Sequence, residues 1–460
     1  MRSVSENQTP QLNKKRFHPI SLIISLVLIC VMPFTNENLV YAAFAINVYR
    51  LIRYDEHSFL VDIVSLLAVS NLYRIQGGDS LFLILISAAD IYFLITKKVK
   101  FDKVFVLFLV FVVYLFSRSD MMIVEYLTIV GGVFLVYILS TVATPDDAAT
   151  MTHMMVLTLI GSSVVGLIFM EDPRLLEYTQ DLGYVSYDVE LYRFKGLFSD
   201  SNYYSTCLII ALSLLVQMFL CKKINSILCA AEALMIVFFG YLTYSKSFFL
   251  MAIGILLLFI ILLFARKRFV YGGLLATGTA MVVAGVATGE IQMFSTVLNR
   301  FGNLATSTGN LNTLTTGRAN AWAAYWQNIF MDNSVFFFGH GLNEPLLNRI
   351  GTHNLYLEIL YYIGVVAFVF LAVLLIVVFS VMHKRHWKTL SLSQRMVSLL
   401  NIGVMMITYF ALQGMFSSAL YVQILAVFVG SLIPAHENWN IKNVFTRPTG
   451  RLQKGGEQDG

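Results

Sequence analysis

The chain has 460 residues, of which 57% are hydrophobic and only 13% charged, and its mean hydropathy is +0.72. Soluble proteins carry about 25% charged residues, so this composition excludes an ordinary soluble domain and indicates a polytopic membrane protein. The net charge of +5 is small and follows topology signals rather than a basic surface, so no nucleic-acid partner is expected.

The N-terminus carries Lys14-Lys15-Arg16 ahead of an apolar run without a small-residue cleavage site. That pattern predicts a retained first helix behind a tail over 1–18, not a signal peptide. Apolar segments follow at 19–35, 39–53, 58–73, 81–96, 103–117, 122–142 and 153–170. More lie at 203–221, 226–244, 247–265, 269–288, 354–381, 396–413 and 416–433. The expectation is an all-α, polytopic transmembrane helical bundle of about 12–14 spans, the shortest segments being borderline for a span of about 17–25 residues. Cys30, Cys207, Cys221 and Cys229 lie in or beside apolar segments without metal-ligand spacing, so neither a disulfide framework nor a metal site is read from them.

Alternating the segments from a cytoplasmic N-terminus places Lys97-Lys98, Lys222-Lys223, Arg266-Lys267-Arg268 and Lys384-Arg385 inside, as the positive-inside bias requires. Both termini are then cytoplasmic, the second being the tail over 434–460. Few cations remain outside: Arg74, Arg118, Arg174, Arg193, Arg300, Arg318, Arg349, Lys195 and Lys246. Arginine dominates that set, and its planar fork fits phosphate better than a lysine point charge does. Asp62 and Asp90 fall inside predicted spans, where a charge is paired or functional; they keep a transporter reading open.

Two external connections are long. The first, 171–202, ends in Arg193-Phe194-Lys195-Gly196 shortly before Asp200, Ser201 and Asn202. Arg193 and Lys195 either anchor to headgroups or bind an anionic substrate; Asp200 and Asn202 are read as caps of the next helix. The tight turn at Tyr244-Ser245-Lys246-Ser247 puts Lys246 outside, either snorkelling or serving as a third cation. The second connection, 289–353, separates the bundle over 19–288 from the C-terminal helices over 354–433. It is rich in Ser, Thr, Asn and Gly as far as Thr316. A helix capped by Thr315 or Thr316 is predicted next. Its stripe of Trp322, Tyr325, Trp326, Ile329 and Phe330 suits either the bilayer surface or the bundle.

Arg318 falls in that helix's first turn, where the dipole disfavours a cation but a bound anion favours one. It is read as half of an anion site, against a solvated or acid-paired arginine. Gly339-His340-Gly341 by itself marks a turn. His353-Asn354 opens a long apolar segment, so Asn354 can cap it, and His353 is a candidate general base against a purely structural interfacial histidine.

Arg193-x-x-Gly196, Asn202, Ser245-Lys246, Gly317-Arg318-x-x-x-Trp322, Gly339-x-Gly341 and His353-Asn354-x-x-Leu357 with Gly364 together resemble the O-antigen polymerase and O-antigen ligase superfamily of bacterial membrane glycosyltransferases. The resemblance covers roughly residues 193–370; the N-terminal half matches only as a hydrophobic bundle. Ser245-Lys246 departs from the Ser-Arg common in that family, which questions a bidentate role there but not a charged one. The resemblance implies a GT-C-like fold in the bacterial inner membrane, with its active site at the external face and short helices in the large external loop. The donor it implies is an undecaprenyl-pyrophosphate-linked oligosaccharide. The glycan acceptor is another repeat unit in a polymerase, and lipid A-core or a protein in a ligase. No cofactor is expected, and metal-independent chemistry would rest on His353, Arg318 and Arg193. Lys195, Lys246, Asn202, Trp322 and Asn354 would bind substrate. The lipid bilayer, a flippase and a chain-length regulator complete the expected partners, and a flippase or transporter is the alternative of another class.

Overall fold

The computed structural model describes residues 19–75, 80–96, 102–119, 122–179, 193–221, 223–265, 269–287, 318–347, 351–384, 387–388, 390, 392–412 and 414–433. Among these residues every regular element is helical, the one extended feature being an isolated bridge between Arg74 and Ser80. The helices are α1 (Pro19–Val31), α2 (Asn38–Arg53), α3 (Glu56–Leu66), α4 (Leu81–Ile95), α5 (Lys103–Phe116), α6 (Ile123–Val142), α7 (Pro145–Ile168), α8 (Pro173–Tyr178) and α9 (Ser201–Leu220). They continue with α10 (Ser226–Leu242), α11 (Lys246–Ala265), α12 (Phe269–Ala287), α13 (Arg318–Met331), α14 (Asn333–Phe338), α15 (Leu355–Lys384), α16 (Leu392–Thr408) and α17 (Ser418–Gly430).

Every apolar segment named from the sequence coincides with a helix. Five are long and apolar enough to cross a membrane: α6, α7, α9, Lys246–Phe264 within α11, and α15. The others are shorter. The segment at 58–73 is α-helical only through Leu66 and tightens into a 3-10 turn over Leu67–Val69. The segment expected from 153 starts earlier, at Pro145, because Thr144 and Asp147 form a reciprocal capping box.

The short links are punctuated by caps, which satisfy N–H groups that a helix start leaves orphaned. Asp55 accepts from Ser58 N at 2.9 Å, Asp102 from Val104 N at 2.9 Å and Asn225 from Ile227 N at 2.8 Å. Contacts between links sort into two ends. At one end Arg174 donates to Phe34 O, Arg74 to Tyr178 O, Arg118 to Gly339 O and Arg193 to Thr243 O. At the other end His57 meets Asp147, and Ser431 meets both His383 and Ser398. These are the pairings that strict alternation of the helices places on common sides.

Helix α9 is the axis of the bundle. It packs against α7, α10, α11, α16 and α17, and its apolar window is 89% buried, against 17% for α11. The polar side chains it buries find partners inside: Gln217 and Ser213 both bond Asn401 of α16, Gln423 of α17 donates to Cys207 Sγ, and Tyr204 shares a 2.5 Å bond with Ser163.

Asp62, whose partner was unidentified in the sequence, forms a two-pronged pair with Arg50 of α2 at 2.7 Å on both prongs, both groups buried. Asp90 is different: its carboxylate is buried, no hydrogen-bond partner is found for it among the described residues, and Gly131 of α6 lies against it.

Helix α15 is broken at Gly364, where φ is 71° and ψ 175°, a conformation close to exclusive to glycine. The break frees carbonyls that would otherwise bond within the helix. His340 N donates to Tyr361 O at 2.8 Å, Gly341 N to Tyr362 O at 2.9 Å, and the Tyr114 hydroxyl to Ile363 O at 3.1 Å. Gly339, itself at φ 70°, lies so close that a Cβ on either glycine would fall within 2.4–2.5 Å of the other strand's backbone. The Gly339-His340-Gly341 turn is therefore a backbone dock for the broken helix. His340 is committed to it: its ring meets Asn328 Oδ1 at 2.6 Å and packs on Tyr361.

Candidate functional site

The N-terminus of α9 gathers most of the candidate residues. Asp200 caps it, accepting from Asn202 N at 2.7 Å and Tyr203 N at 2.9 Å. Asn202 was expected as a second cap and is not one. Because Asp200 already satisfies the first-turn donors, the Asn202 side chain is released to act as a hub. Its Oδ1 accepts from Arg193 Nη2 at 3.0 Å and from Ser245 Oγ at 3.4 Å.

Arg193 is held on its other side by Thr243 O at 3.0 Å, while Phe194 N donates to Leu242 O at 3.0 Å. The strand of chain before α9 is thereby stitched to the end of α10. Gly196 makes the turn possible: its φ is +57°, and a Cβ there would stand 2.9 Å from the Tyr204 ring. Ser245 also meets Ser205 and Ser247, which fixes the turn that presents Lys246 as the first residue of α11. Tyr244, beside it, has φ +46°.

Arg318 is the first residue of α13; Thr315 and Thr316, expected as its caps, lie outside the described residues. Burial lowers the basicity of its guanidinium, and the nearby Asp200 carboxylate opposes that shift. His353 lies within the field of both groups. Its imidazole is pushed down from 6.5 to about 4, first by burial and then by the Arg318 charge, with Asp200 pulling the other way. The ring is thus neutral at ordinary pH, and its ordinary value near 6.5, assumed from the sequence, does not hold in the folded chain.

His353 also has φ +43°, a strained choice for a non-glycine residue and a cost of about 1–3 kcal/mol that surrounding contacts must offset. Those contacts are visible. Trp322 Nε1 donates to Thr352 O at 2.9 Å on one side of the residue. On the other, Asn354 accepts from Tyr356 N at 3.1 Å and Leu357 N at 3.2 Å, capping α15. Glu358, one turn on, accepts from Gly414 N and Met415 N at 2.7 and 3.2 Å and ties the α16–α17 link to the same helix start.

The candidates therefore divide. Arg318 and His353 lie within electrostatic reach of each other and of Asp200, the cap of α9; Arg193 bonds Asn202 on the first turn of that helix, and Lys246 opens α11 beside Ser245. Trp322 and Asn354 hold the His353 backbone from either side. Lys195 is directed elsewhere, donating to Thr179 O at 2.9 Å at the end of α8, which ties the loop to that helix. Sequence reading missed Thr243, Thr352, Ser205 and Glu358 as participants, because backbone carbonyls and buried hydroxyls carry no motif of their own. The stripe on α13 combines both expected roles: Tyr325 and Ile329 are buried against α15, while Trp326 and Phe330 are exposed.

Comparison of the chain with protein-family models, curated proteins and solved structures finds no match.

Proposed function

We propose that this protein is a membrane glycosyltransferase that polymerises undecaprenyl-pyrophosphate-linked oligosaccharide repeat units for O-antigen, capsule or exopolysaccharide. The observation that carries the reading is that Arg318 and a neutral His353 act on each other and on Asp200 at the head of α9, the helix whose first turn also holds Arg193 through Asn202. In this reading the bundle is GT-C-like with about 12–14 spans, the shorter helices included. It lies in the bacterial inner membrane with both termini cytoplasmic, and the head of α9 faces outward.

The chemistry assigns each group a task. The acceptor hydroxyl oxygen attacks the anomeric carbon of the donor sugar, and its proton passes to an unprotonated nitrogen of the His353 imidazole. The anomeric C–O bond breaks, its electron pair stays on the leaving phosphate oxygen, and the lipid diphosphate departs. Arg318 and Arg193 stabilise that growing charge in a partly dehydrated site, where one such donor is worth about 3–4 kcal/mol of barrier. The low basicity of His353 fits the role. A diphosphate bound beside Arg318 offsets the arginine charge that depresses the imidazole, so His353 becomes a better base when donor is present.

A ligase that transfers the glycan to lipid A-core or protein uses the same chemistry with another acceptor. A flippase or transporter has less support: the closed Arg50–Asp62 pair accounts for one of its two charges, leaving Asp90. The test is glycan formation by His353→Gln and Arg318→Lys chains in cells that lack the parent gene. Both are expected to lose polymer, His353→Gln because glutamine cannot carry the proton and Arg318→Lys because lysine lacks the fork. Normal polymer from His353→Gln would remove the base assignment.

A further inference from the structure

We infer that the α13–α14 hairpin is a membrane-interface plate, with its aromatic edge seated in the lipid surface. The inference rests on the bundle being membrane-embedded and does not depend on glycosyl transfer.

The depth follows from α15. After the break at Gly364, residues 365–384 rise about 30 Å, which matches a hydrocarbon core of about 30 Å. Exposure tracks that boundary. Val366, Val369, Val373, Ile376 and Val381 are exposed apolar residues below the break, a stripe facing lipid. Above it, from Leu355 to Gly364, no residue is exposed: α13 and α14 pack there, together with Phe410, Phe416 and the link at Gly414–Met415. The lipid-facing stripe of α15 thus ends near the break, where the hairpin begins to cover the helix.

The docking of Gly339 on Gly364 brings the end of α14 to that level. The side chains there are those of a membrane interface. Trp326 stacks on Phe330 at 5.0 Å, Phe330 on Phe336 at 5.1 Å, and Phe336 meets Phe337 at 5.0 Å. This continuous row is also outward-facing: Phe330 is 58% exposed and Met331 76%, with Trp326, Phe337 and Phe338 exposed beside them. In water such a patch would be an aggregation hazard; at the headgroup boundary, rings of this kind are the usual anchors. Polar Asn320 and Gln327 are exposed on the same helix, turned about 100° from Trp326 toward water in the case of Gln327.

The test places a nitroxide on Phe330→Cys, Phe337→Cys and Gln327→Cys chains in bilayers of phosphatidylethanolamine and phosphatidylglycerol. Signal from the parent chain's own cysteines is subtracted. Collision rates with oxygen, which concentrates in lipid, and with a water-soluble nickel chelate then report the surroundings. Positions 330 and 337 should favour oxygen over nickel, and position 327 the reverse. Nickel access at 330 equal to that at 327 would overturn the inference, as would exclusion of both reagents, the sign of a covering protein copy. Where the cysteine variants fold poorly, Trp326→Phe alone serves. Lipids brominated high on their chains should quench a smaller fraction of its fluorescence than of the parent's, and an unchanged fraction would overturn the plate. No substrate is present in either measurement, so failure here leaves the glycosyl-transfer reading to be judged separately.

Discussion

Replacing Gly364 by alanine attacks the joint between the broken helix and the turn that docks on it. The new Cβ would lie 2.5 Å from both Gly339 N and Phe337 O, closer than unbonded atoms tolerate. The backbone at φ 71° and ψ 175° would itself cost about 1–3 kcal/mol with a side chain present. Relief requires the two backbones to separate, which weakens the bonds from His340 N to Tyr361 O and from Gly341 N to Tyr362 O, each worth about 1 kcal/mol. The combined destabilisation is about 3–5 kcal/mol. Gly254→Ala is the matched control: it lies within α11, and nothing stands within 4 Å of its added Cβ. Alanine there should be neutral or stabilising by about 0.5–1 kcal/mol. Thermal unfolding of the purified chain in detergent, followed by tryptophan fluorescence, compares the two. The midpoint should fall clearly for Gly364→Ala and hold for Gly254→Ala. Equal midpoints would refute the docked-glycine account.

His353 gives a pH prediction with a definite sign. Its folded value of about 4 lies below its ordinary 6.5, so the unfolded chain takes up the proton first. Its contribution to stability is intact above about pH 6.5 and falls as the pH drops toward 4; His353→Gln should flatten that part of a stability–pH curve, and an unchanged curve would count against the shift. Asp62→Asn leaves Arg50 buried without its charge partner and should destabilise by about 3–5 kcal/mol, while converting both residues to apolar ones should recover much of that; the thermal midpoint reads both. The proposed orientation predicts that a cysteine at Asn333 reacts with an impermeant maleimide in intact cells whereas one at Ser226 reacts only after permeabilisation, and the opposite pattern would invert the topology.

The helices were legible because apolar run length is a property of the sequence itself, and the polar residues between runs doubled as caps, as Asp55, Asp102, Asp200 and Asn225 do. Pairings across helices were less legible. Arg50 and Asp62 sit on consecutive helices with no spacing rule joining them. Asn202 resembled a cap until Asp200 took that role and left its side chain to Arg193. The break at Gly364 was hidden because one glycine in an apolar run is unremarkable until Gly339, distant in sequence, is brought against it. For the site, residue types suggested the chemistry, but they carried no information about how far burial and Arg318 would lower the basicity of His353. The segment over 289–317, with the expected caps Thr315 and Thr316, lies outside the described residues.

The reaction proposed is transfer of a glycan from one lipid diphosphate to another. Its most direct test is the purified protein in lipid bilayers, given undecaprenyl-pyrophosphate-linked repeat units and nothing else, with products resolved by size. A ladder of lengthening glycans, absent with His353→Gln, is the predicted result. A single product formed only when lipid A-core is added would identify a ligase, and lipid-linked units left unextended under both conditions would contradict the proposed transfer reaction.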